Sequence, residues 1–365
     1  ISFVDFPPTI LKLAGMEELP SYFQGIPFLG TGPGEKRSFV YGFRERVDEV
    51  FEKARSVRGP RFLYIRNYQP HTSWHAPSVF SDLGAIRQHL DTYNLNHAAT
   101  LTDAQRGYLG PGKSVEELYD TDNDPHQVNN LLTSGEPEGE AGRALAELRT
   151  ALVAERTRLR DAGALPESEL WKWVRNEGKS LAEITAGRTS HQPDLKAAWV
   201  AADLVGRGTV DDFRQNLKAH DPAIRFWAIR GLRHLGKENP DLMGMAADHL
   251  EDVSPSVRIE TAGWLGRGDQ HREAALARLA LDLKHPDWWT ALQACRAIEL
   301  LGKKAKPLLP AMEEVHWKHR YEAGDQHLFL AFSSGAFLEN MGKKIDPWVF
   351  TPGTDRFSKN PPPKN

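Results

Sequence analysis

The sequence predicts an α+β module followed by an all-α solenoid. Three observations indicate this fold class. Short runs rich in aromatic and β-branched residues lie between residues 37 and 70. A long amphipathic helix follows at 138 to 162, and from about 190 to 312 a helical pattern repeats roughly every 30 residues. A chain of 365 residues is long enough for two or three domains.

The charge composition excludes some classes of partner. The 46 Lys and Arg residues are nearly balanced by 49 Asp and Glu residues, which gives a net charge of -3. An electrostatic nucleic-acid or membrane surface needs an excess of basic residues, so we expect neither partner. No uninterrupted apolar stretch is long enough for a membrane-spanning helix. The one cysteine, Cys295, can form no internal disulfide and is predicted to be a small core residue.

The first element is a predicted helix over residues 5 to 15, with Asp5 at its start and Gly15 at its end. A helix this short is unstable alone, and the Gly/Pro-rich loop at 25 to 34 offers it no evident partner. The chain begins with Ile1 rather than Met, and its first residues lack the pattern of a signal peptide. We therefore expect the chain to be part of a longer product.

The next elements are strands. Residues 38 to 43 predict one strand, and residues 56 to 67 predict a hairpin that turns at Gly59-Pro60. Residues 71 to 136 are expected to be mostly loop, closed by the segment at 116 to 120. The amphipathic helix at 138 to 162 carries leucines on or near one face, and it ends the α+β module.

The remaining helices repeat around glycines at fixed spacing. Gly206, Gly236, Gly266 and Gly302 are separated by 30, 30 and 36 residues. The residue before each glycine is apolar, and small residues recur five positions before most of them, which predicts a packing stripe on one face of each helix. We therefore expect Leu235, which precedes Gly236, to be buried. Helix pairs at this period are typical of an α-solenoid.

Two of the repeating units open in the same way. Residues 221 to 225 read Asp-Pro-Ala-Ile-Arg and residues 254 to 258 read Ser-Pro-Ser-Val-Arg. This opening resembles HEAT-like repeats. The next unit departs from it, because Pro286 is followed by Asp287-Trp288-Trp289 without an arginine.

Several short motifs resemble nucleotide or metal sites, but the residues around them do not support such a site. Residues 107 to 114 fit the phosphate-loop pattern, but no buried strand precedes them and no long helix follows. The acidic residues at 120, 122 and 124 lack the glycine and the glutamate of a calcium loop. His71 with His75, and His316 with His319, have no third ligand. We predict no catalytic residue and no metal site in this chain.

A cluster of charges at residues 44 to 49 is the candidate substrate site. Arg44 and Arg46 would share one face of a strand and could hold an anionic group, while Asp48 and Glu49 could accept hydrogen bonds from hydroxyls or orient the arginine. The same alternation of charges is also typical of a solvated edge strand. The residues alone leave both interpretations open.

Longer stretches resemble a known family. Residues 2 to 15 look like the helix that comes late in the catalytic domain of sulfatases. Tyr41-Gly42 with Arg46, the run at 64 to 70, and Glu-Glu-Leu-Tyr-Asp at 116 to 120 with Asp124-Pro125 resemble the C-terminal subdomain of the N-sulphoglucosamine sulphohydrolase-like sulfatases. The resemblance covers about residues 1 to 160.

The resemblance implies a sulfuric ester hydrolase of the alkaline-phosphatase-like superfamily. In that family a formylglycine, made from the Cys or Ser of a C/S-x-P-x-R motif, attacks sulfur beside a calcium ion. This chain has no such motif, so we expect both cofactors to belong to the full-length protein and this chain alone to be inactive. The implied substrate is a sulfated saccharide or an aryl sulfate ester, with Arg46, Asp48 and Glu49 on the edge facing the active-site cleft. A periplasmic or secreted location is also implied.

The predicted organisation has five parts. Residues 1–34 end the sulfatase catalytic domain, 35–165 form its C-terminal subdomain, 166–190 are a linker, 191–345 are HEAT-like repeats and 346–365 are a Pro-rich tail. The first functional hypothesis is the C-terminal part of a sulfatase. The alternative is a non-catalytic interaction protein whose solenoid binds a protein or a glycan.

Overall fold

The computed structural model describes residues 1–30, 37–188, 192–346 and 348. In chain order the helices and strands are α1 (Phe6–Leu13), β1 (Val40–Arg44), β2 (Ala54–Arg58), β3 (Phe62–Asn67), α2 (Val79–Asp82), α3 (Ala85–His97), α4 (Asp103–Leu109), β4 (Glu116–Asp120), α5 (Gly139–Leu159), α6 (Glu167–Glu177), α7 (Leu181–Thr185), α8 (Leu195–Asp203), α9 (Val210–Asn216), α10 (Pro222–Leu235), α11 (Pro240–Ala246), α12 (Pro255–Leu265), α13 (Arg272–Asp282), α14 (Trp288–Leu301), α15 (Leu309–His319) and α16 (Asp325–Asn340). No helix among the described residues combines the length and hydrophobicity that crossing a bilayer requires.

The chain divides into two compact units, each assembled from separate segments. The first unit consists of the described residues of Ile1–Arg44, Lys53–Asn67 and Ser114–Arg158. The second consists of those of Glu45–Glu52, Tyr68–Lys113 and Leu159–Asn365. The continuous domain boundaries derived from the sequence remain a prediction. Residues 166–190, expected to be a linker, contain the helices α6 and α7.

The first unit contains a small antiparallel sheet in the order β1-β2-β3-β4. The predicted hairpin is confirmed: β2 pairs with β3, and the amide of Gly59 donates to the carbonyl of Phe62 across the turn. Residues 116 to 120, expected only as the end of a loop region, form the strand β4. One face of the sheet packs on α5, where Leu145, Leu148 and Leu152 are buried. This α+β arrangement is compatible with a sulfatase C-terminal subdomain.

The predicted first helix is confirmed as α1, but the expectation that loop 25 to 34 gives it no partner is wrong for the described part of that loop. Oδ1 of Asp5 accepts from the amide of Ile26 at 2.8 Å and from the guanidinium of Arg37 at 2.7 Å. Asp5 makes no side-chain cap of α1, because the second and third residues of the helix are Pro7 and Pro8, which have no amide hydrogen to donate. The amide of Phe28 donates to Thr9 Oγ1 at 3.2 Å.

The second unit is helical. The expectation that residues 71 to 136 are mostly loop misses three helices, α2, α3 and α4, although about half of this stretch lies outside helices and strands. Helix α4 begins with a capping box, in which Thr102 and Gln105 bond to each other's backbone amides. The phosphate-loop pattern at 107 to 114 begins inside the last turn of α4 and precedes the strand β4, the reverse of the context that phosphate binding requires.

Consecutive helices of the second unit pack on one another. Helix α10 contacts α8, α9 and α12, and α12 in turn contacts α13 and α14. Three residues of the predicted stripe are buried: Val205, Leu265 and Leu301. The prediction that Leu235 is buried is wrong, since it is 43% exposed as the last residue of α10, while Leu232 is fully buried. The assignment of these helices to HEAT-like repeats remains a prediction.

The repeated arginine has a clear structural role. Arg225 donates two hydrogen bonds to Asp252, at 2.8 and 2.7 Å, and a third to the carbonyl of Ala219 before its own helix. Arg258 repeats this pattern with Asp282 and the carbonyl of Asp252. Each arginine thus closes the turn before its helix and ties it to a carboxylate further along the chain. In the unit without the arginine, Trp289 stacks on Trp171 with ring centroids 5.3 Å apart.

A glycine allows two of these helices to approach closely. A Cβ atom at Gly231 in α10 would lie 2.1 Å from the ring of Phe213 in α9. We predict that Gly231→Ala lowers the free energy of unfolding by about 1 to 3 kcal/mol, because the buried Phe213 ring has no free space to enter. The measurement is urea denaturation followed by circular dichroism.

The matched control for this substitution is Gly244→Ala in α11. A Cβ atom at Gly244 would meet nothing within 4 Å, so the substitution should leave stability unchanged or raise it by roughly 0.5 to 1 kcal/mol through the helix propensity of alanine. Equal stability of both variants would contradict the close packing of α9 on α10.

Candidate functional site

A cavity of about 320 Å³ lies within the second unit. Its walls come from loop 45–52, residues 69–77, the start of α6 and one face each of α10, α12 and α14. The volume is at the lower end of the range typical of small-ligand sites. Separate segments of the second unit therefore meet at one concave surface.

The helices present charged residues to this cavity at related positions. Arg230 and Arg233 are three residues apart on α10 and therefore share one face of that helix. Counting back six residues from the repeat glycines reaches Arg230 on α10, Glu260 on α12 and Arg296 on α14. The repeat thus places a charged side chain at the same point of three helices, and the cavity lies where those points meet.

The cavity wall has more cations than anions. Two acidic residues, Glu167 and Glu260, face six basic ones: Arg46, Arg230, Arg233, Lys237, Arg267 and Arg296. Burial lowers the pKa of Arg233 to about 10, and the charges of Arg267 and Arg230 contribute to that decrease. Burial, followed by the charges of Arg233, Arg230, Lys113 and Arg267, lowers the pKa of His71 well below its usual value. His71 is therefore neutral near pH 7, and the local potential is positive.

Some of these charges are neutralised inside the wall. The Nε of Arg46 donates to both carboxylate oxygens of Glu167, at 2.9 and 2.8 Å. Arg296 donates to Glu299 and to the carbonyl of Pro77, both at 2.5 Å. Arg230 and Arg233 share the single carboxylate of Glu260, at 3.0 and 3.2 Å. Because two arginines share one carboxylate, a net positive charge remains around Glu260.

Three of the four residues predicted from the sequence meet in loop 45–52, where Nη1 of Arg46 donates to the carbonyls of Asp48 and Glu49 at 3.3 and 3.2 Å. Arg44 is exposed at the end of the edge strand β1, in the first unit. The expectation that Arg46 continues this strand is wrong, because β1 ends at Arg44 and Arg46 lies in loop 45–52. Of the four, Arg46 lines the cavity. Their roles in substrate binding remain a prediction.

Asp48 and Glu49 occupy unusual positions in the same loop. Asp48 has a left-handed backbone with φ of 51°, and burial raises its pKa. Glu49 is fully buried, and its Oε1 accepts from the amide of Val79 at 2.7 Å. Burial raises the pKa of Glu49 to about 7, although the charge of Arg296 opposes this increase. Glu49 supports the loop and is not among the cavity-lining residues.

The residues described here do not fit the cofactors that the resemblance implies. Burial raises the pKa of Cys295 to about 12, and its Sγ lies among core atoms such as Sδ of Met312. A thiol in that environment is protonated and inaccessible, so it suits neither a nucleophile nor a formylglycine precursor. Among the described residues no group of three or more His, Cys, Asp or Glu side chains could hold a metal ion.

Comparison with known proteins finds sulfatases that are similar to part of this chain. An ulvan-active sulfatase of Formosa agariphila is 36% identical over 186 residues, which cover 51% of this chain and 30% of that protein. A second ulvan-active sulfatase of the same organism is 23% identical over 233 residues, or 61% of this chain and 39% of the relative. No family model matches the chain.

The chain therefore contains a sulfatase-related region, and the resemblance to sulfatases found in the sequence is confirmed. The matched part of the chain spans less than half the length of either relative.

We predict that Glu49 makes the stability of the chain depend on pH. Its pKa is about 7 in the folded chain and 4.5 when exposed, so the folded state holds the proton more tightly. The free energy of unfolding should fall as pH rises from 4.5 through 7. Glu49→Gln keeps an acceptor for the Val79 amide but cannot ionise, so its stability should fall less over this range.

Urea denaturation at half-unit pH intervals measures the effect. The exposed Glu18→Gln removes the same charge and should retain the pH dependence of the wild type. Parallel curves for Glu49→Gln and the wild type would show that Glu49 does not ionise in this range.

Proposed function

We propose that the chain is part of a sulfuric ester hydrolase that acts on sulfated saccharides. The observation that carries this proposal is the 36% identity to an ulvan-active sulfatase over half of the chain. The small antiparallel sheet of the first unit, packed on α5, supports it. Ulvan is the first substrate to test, because both relatives are named for their activity on it.

The second unit contributes a binding surface in this proposal. Its helices would stack as HEAT-like repeats, an interpretation supported by the matching arginine–aspartate ties of Arg225 and Arg258. The cationic cavity on these helices suits an anionic substrate, since guanidinium groups bind sulfate and carboxylate through paired hydrogen bonds. Arg44, Asp48 and Glu49 stay secondary candidates for substrate contact, and Arg46 is the leading one.

Sulfate release from ulvan tests the proposed activity. The natural gene product that contains residues 1–365 should release inorganic sulfate from ulvan, measured by ion chromatography. The 365-residue chain alone should release none, from ulvan or from an aryl sulfate, because it has no C/S-x-P-x-R sequence.

Two results would contradict this assignment. Turnover by the 365-residue chain alone would reveal an unrelated active site. Binding of ulvan without sulfate release by the natural gene product would favour the alternative, a non-catalytic binding protein.

Arg46 and Glu167 give a second test, because they should affect binding in opposite directions. Arg46→Ala removes a cation and leaves the Glu167 carboxylate facing the cavity, so we expect affinity for ulvan oligosaccharides to fall by ~1 to 3 kcal/mol. Glu167→Gln removes the competing anion and frees the guanidinium, so affinity should rise.

Isothermal titration calorimetry measures both affinities. Arg214→Ala is the matched control, since it breaks an exposed pair with Asp211 and should change neither binding nor stability appreciably. A decrease of affinity in both cavity variants would show that the Arg46–Glu167 pair is structural only.

A further inference from the structure

We propose that the cavity of the second unit is a binding site for an oxyanion, held by Arg233, Lys237 and Arg267, and that its ligand is a saccharide bearing a sulfate ester or a carboxylate. The saccharide part of this inference rests on the proposed function. The oxyanion part rests on the cavity alone.

The distribution of charge separates this end of the cavity from the rest. Arg46 and Arg296 are matched by Glu167 and Glu299. Within the described part of the chain, Lys237 and Arg267 make no salt bridge, and Glu260 serves two arginines. The charge of Glu238 acts on both Lys237 and Arg267, so Glu238 and Glu260 together face four cations, and a net positive charge remains where α10 and α12 end.

Hydrogen-bond donors at this end also lack acceptors. Arg233 donates from Nη1 to Glu260, while its Nε has no partner among the residues that the structure describes. Arg267 donates from Nη2 to the carbonyl of Leu300 at 3.2 Å, and its Nε also has no acceptor among the described residues. Nδ1 of His71 and two guanidinium nitrogens of Arg230 are also without partners in the described chain. Buried donors are normally satisfied, so this concentration of exceptions calls for a ligand.

The guanidinium of Arg230 is fixed below this cluster. It lies 4.4 Å from the ring centre of Phe226, 5.1 Å from that of Phe51 and 5.4 Å from that of Trp227. Arg230 lines the cavity and is 3% exposed, so it adds to the positive potential there, and its two unpartnered nitrogens are further donors. Glu260 holds Arg233 and the carbonyl of Leu300 holds Arg267, so these two guanidinium groups are positioned before any ligand arrives.

The chemistry of the wall favours an oxyanion on an organic ligand. Arginine binds sulfate and carboxylate groups through its planar fork of donors, and burial strengthens that attraction. Apolar surface from Phe51, Ile259 and Leu300 lines the same cavity and can pack on carbon atoms of a sugar. A fully hydrated inorganic ion would leave this apolar surface uncovered.

Calorimetry on the 365-residue chain tests the inference, with glucose 6-sulfate, glucuronate, inorganic sulfate and glucose as probes at low ionic strength. We expect at least one of the two charged sugars to bind at a single site, more tightly than inorganic sulfate, and glucose not to bind. Affinity should fall as salt is added, because screening weakens the attraction.

Three variants locate the site. Arg233→Gln and Arg267→Gln should each weaken binding of the charged sugar by roughly tenfold, the effect of one lost charged hydrogen bond. Lys237→Gln, at an exposed position, should weaken it by a smaller factor. Arg278→Gln is the control, since it removes the same charge from α13, away from the cavity-lining residues, and should leave affinity within about twofold.

The outcomes are separable. Thermal unfolding checks that each variant folds. If Arg233→Gln does not fold, Arg267→Gln and Lys237→Gln decide, because neither breaks a salt bridge within the described residues.

Charged sugars that bind no better than glucose, or equal weakening by Arg278→Gln and the cavity variants, would overturn the site. Inorganic sulfate that binds as tightly as glucose 6-sulfate and glucuronate would overturn the saccharide part alone. Binding at this site without sulfate release by the natural gene product would refute the proposed function and leave the oxyanion site intact.

Discussion

A buried arginine needs an acceptor for each of its donors, and this constraint organises the helical unit. Arg225 and Arg258 meet it in the same way, each bonding to the turn before its own helix and to a carboxylate further along the chain. Removing a buried carboxylate partner would strand a charge in a low-dielectric environment, at a cost of several kcal/mol. The position of one helix therefore depends on that of the next.

Other arginines of the same helices do not meet this constraint. Arg225 and Arg233 both lie on α10, yet Asp252 matches the first fully while the second shares Glu260 with Arg230. Lowered pKa values of Arg233 and Arg267, caused first by burial, show that their charges are held at a cost. Buried charges that destabilise a fold in this way are concentrated at functional sites. The contrast within one helix separates arginines that support the fold from arginines available to a ligand.

Local patterns in the sequence predict much of this structure and little of the cavity. The hairpin, helix α5 and the buried stripe at Val205, Leu265 and Leu301 follow from propensity and periodicity, which act over a few residues. Leu235 breaks the stripe although, like Leu265 and Leu301, it is the last residue of its helix; on α10 the buried leucine is Leu232, three residues earlier. The cavity residues form no motif, since they come from segments far apart in the chain. The signal in the sequence that could have predicted the cavity is a charged residue six positions before each of Gly236, Gly266 and Gly302.

The discontinuity of the two units explains why the charges at 44 to 49 are ambiguous in the sequence. Arg44 ends a strand of the first unit, and Arg46, two residues later, belongs to the second. The two interpretations, an edge strand and a ligand site, thus apply to different residues of one short run. The same discontinuity means that the repeats at 191–345 do not contain the whole cavity. Its wall needs loop 45–52, residues 69–77 and the start of α6, so a solenoid isolated at the predicted linker would keep the helical face and lose Arg46, His71 and Glu167.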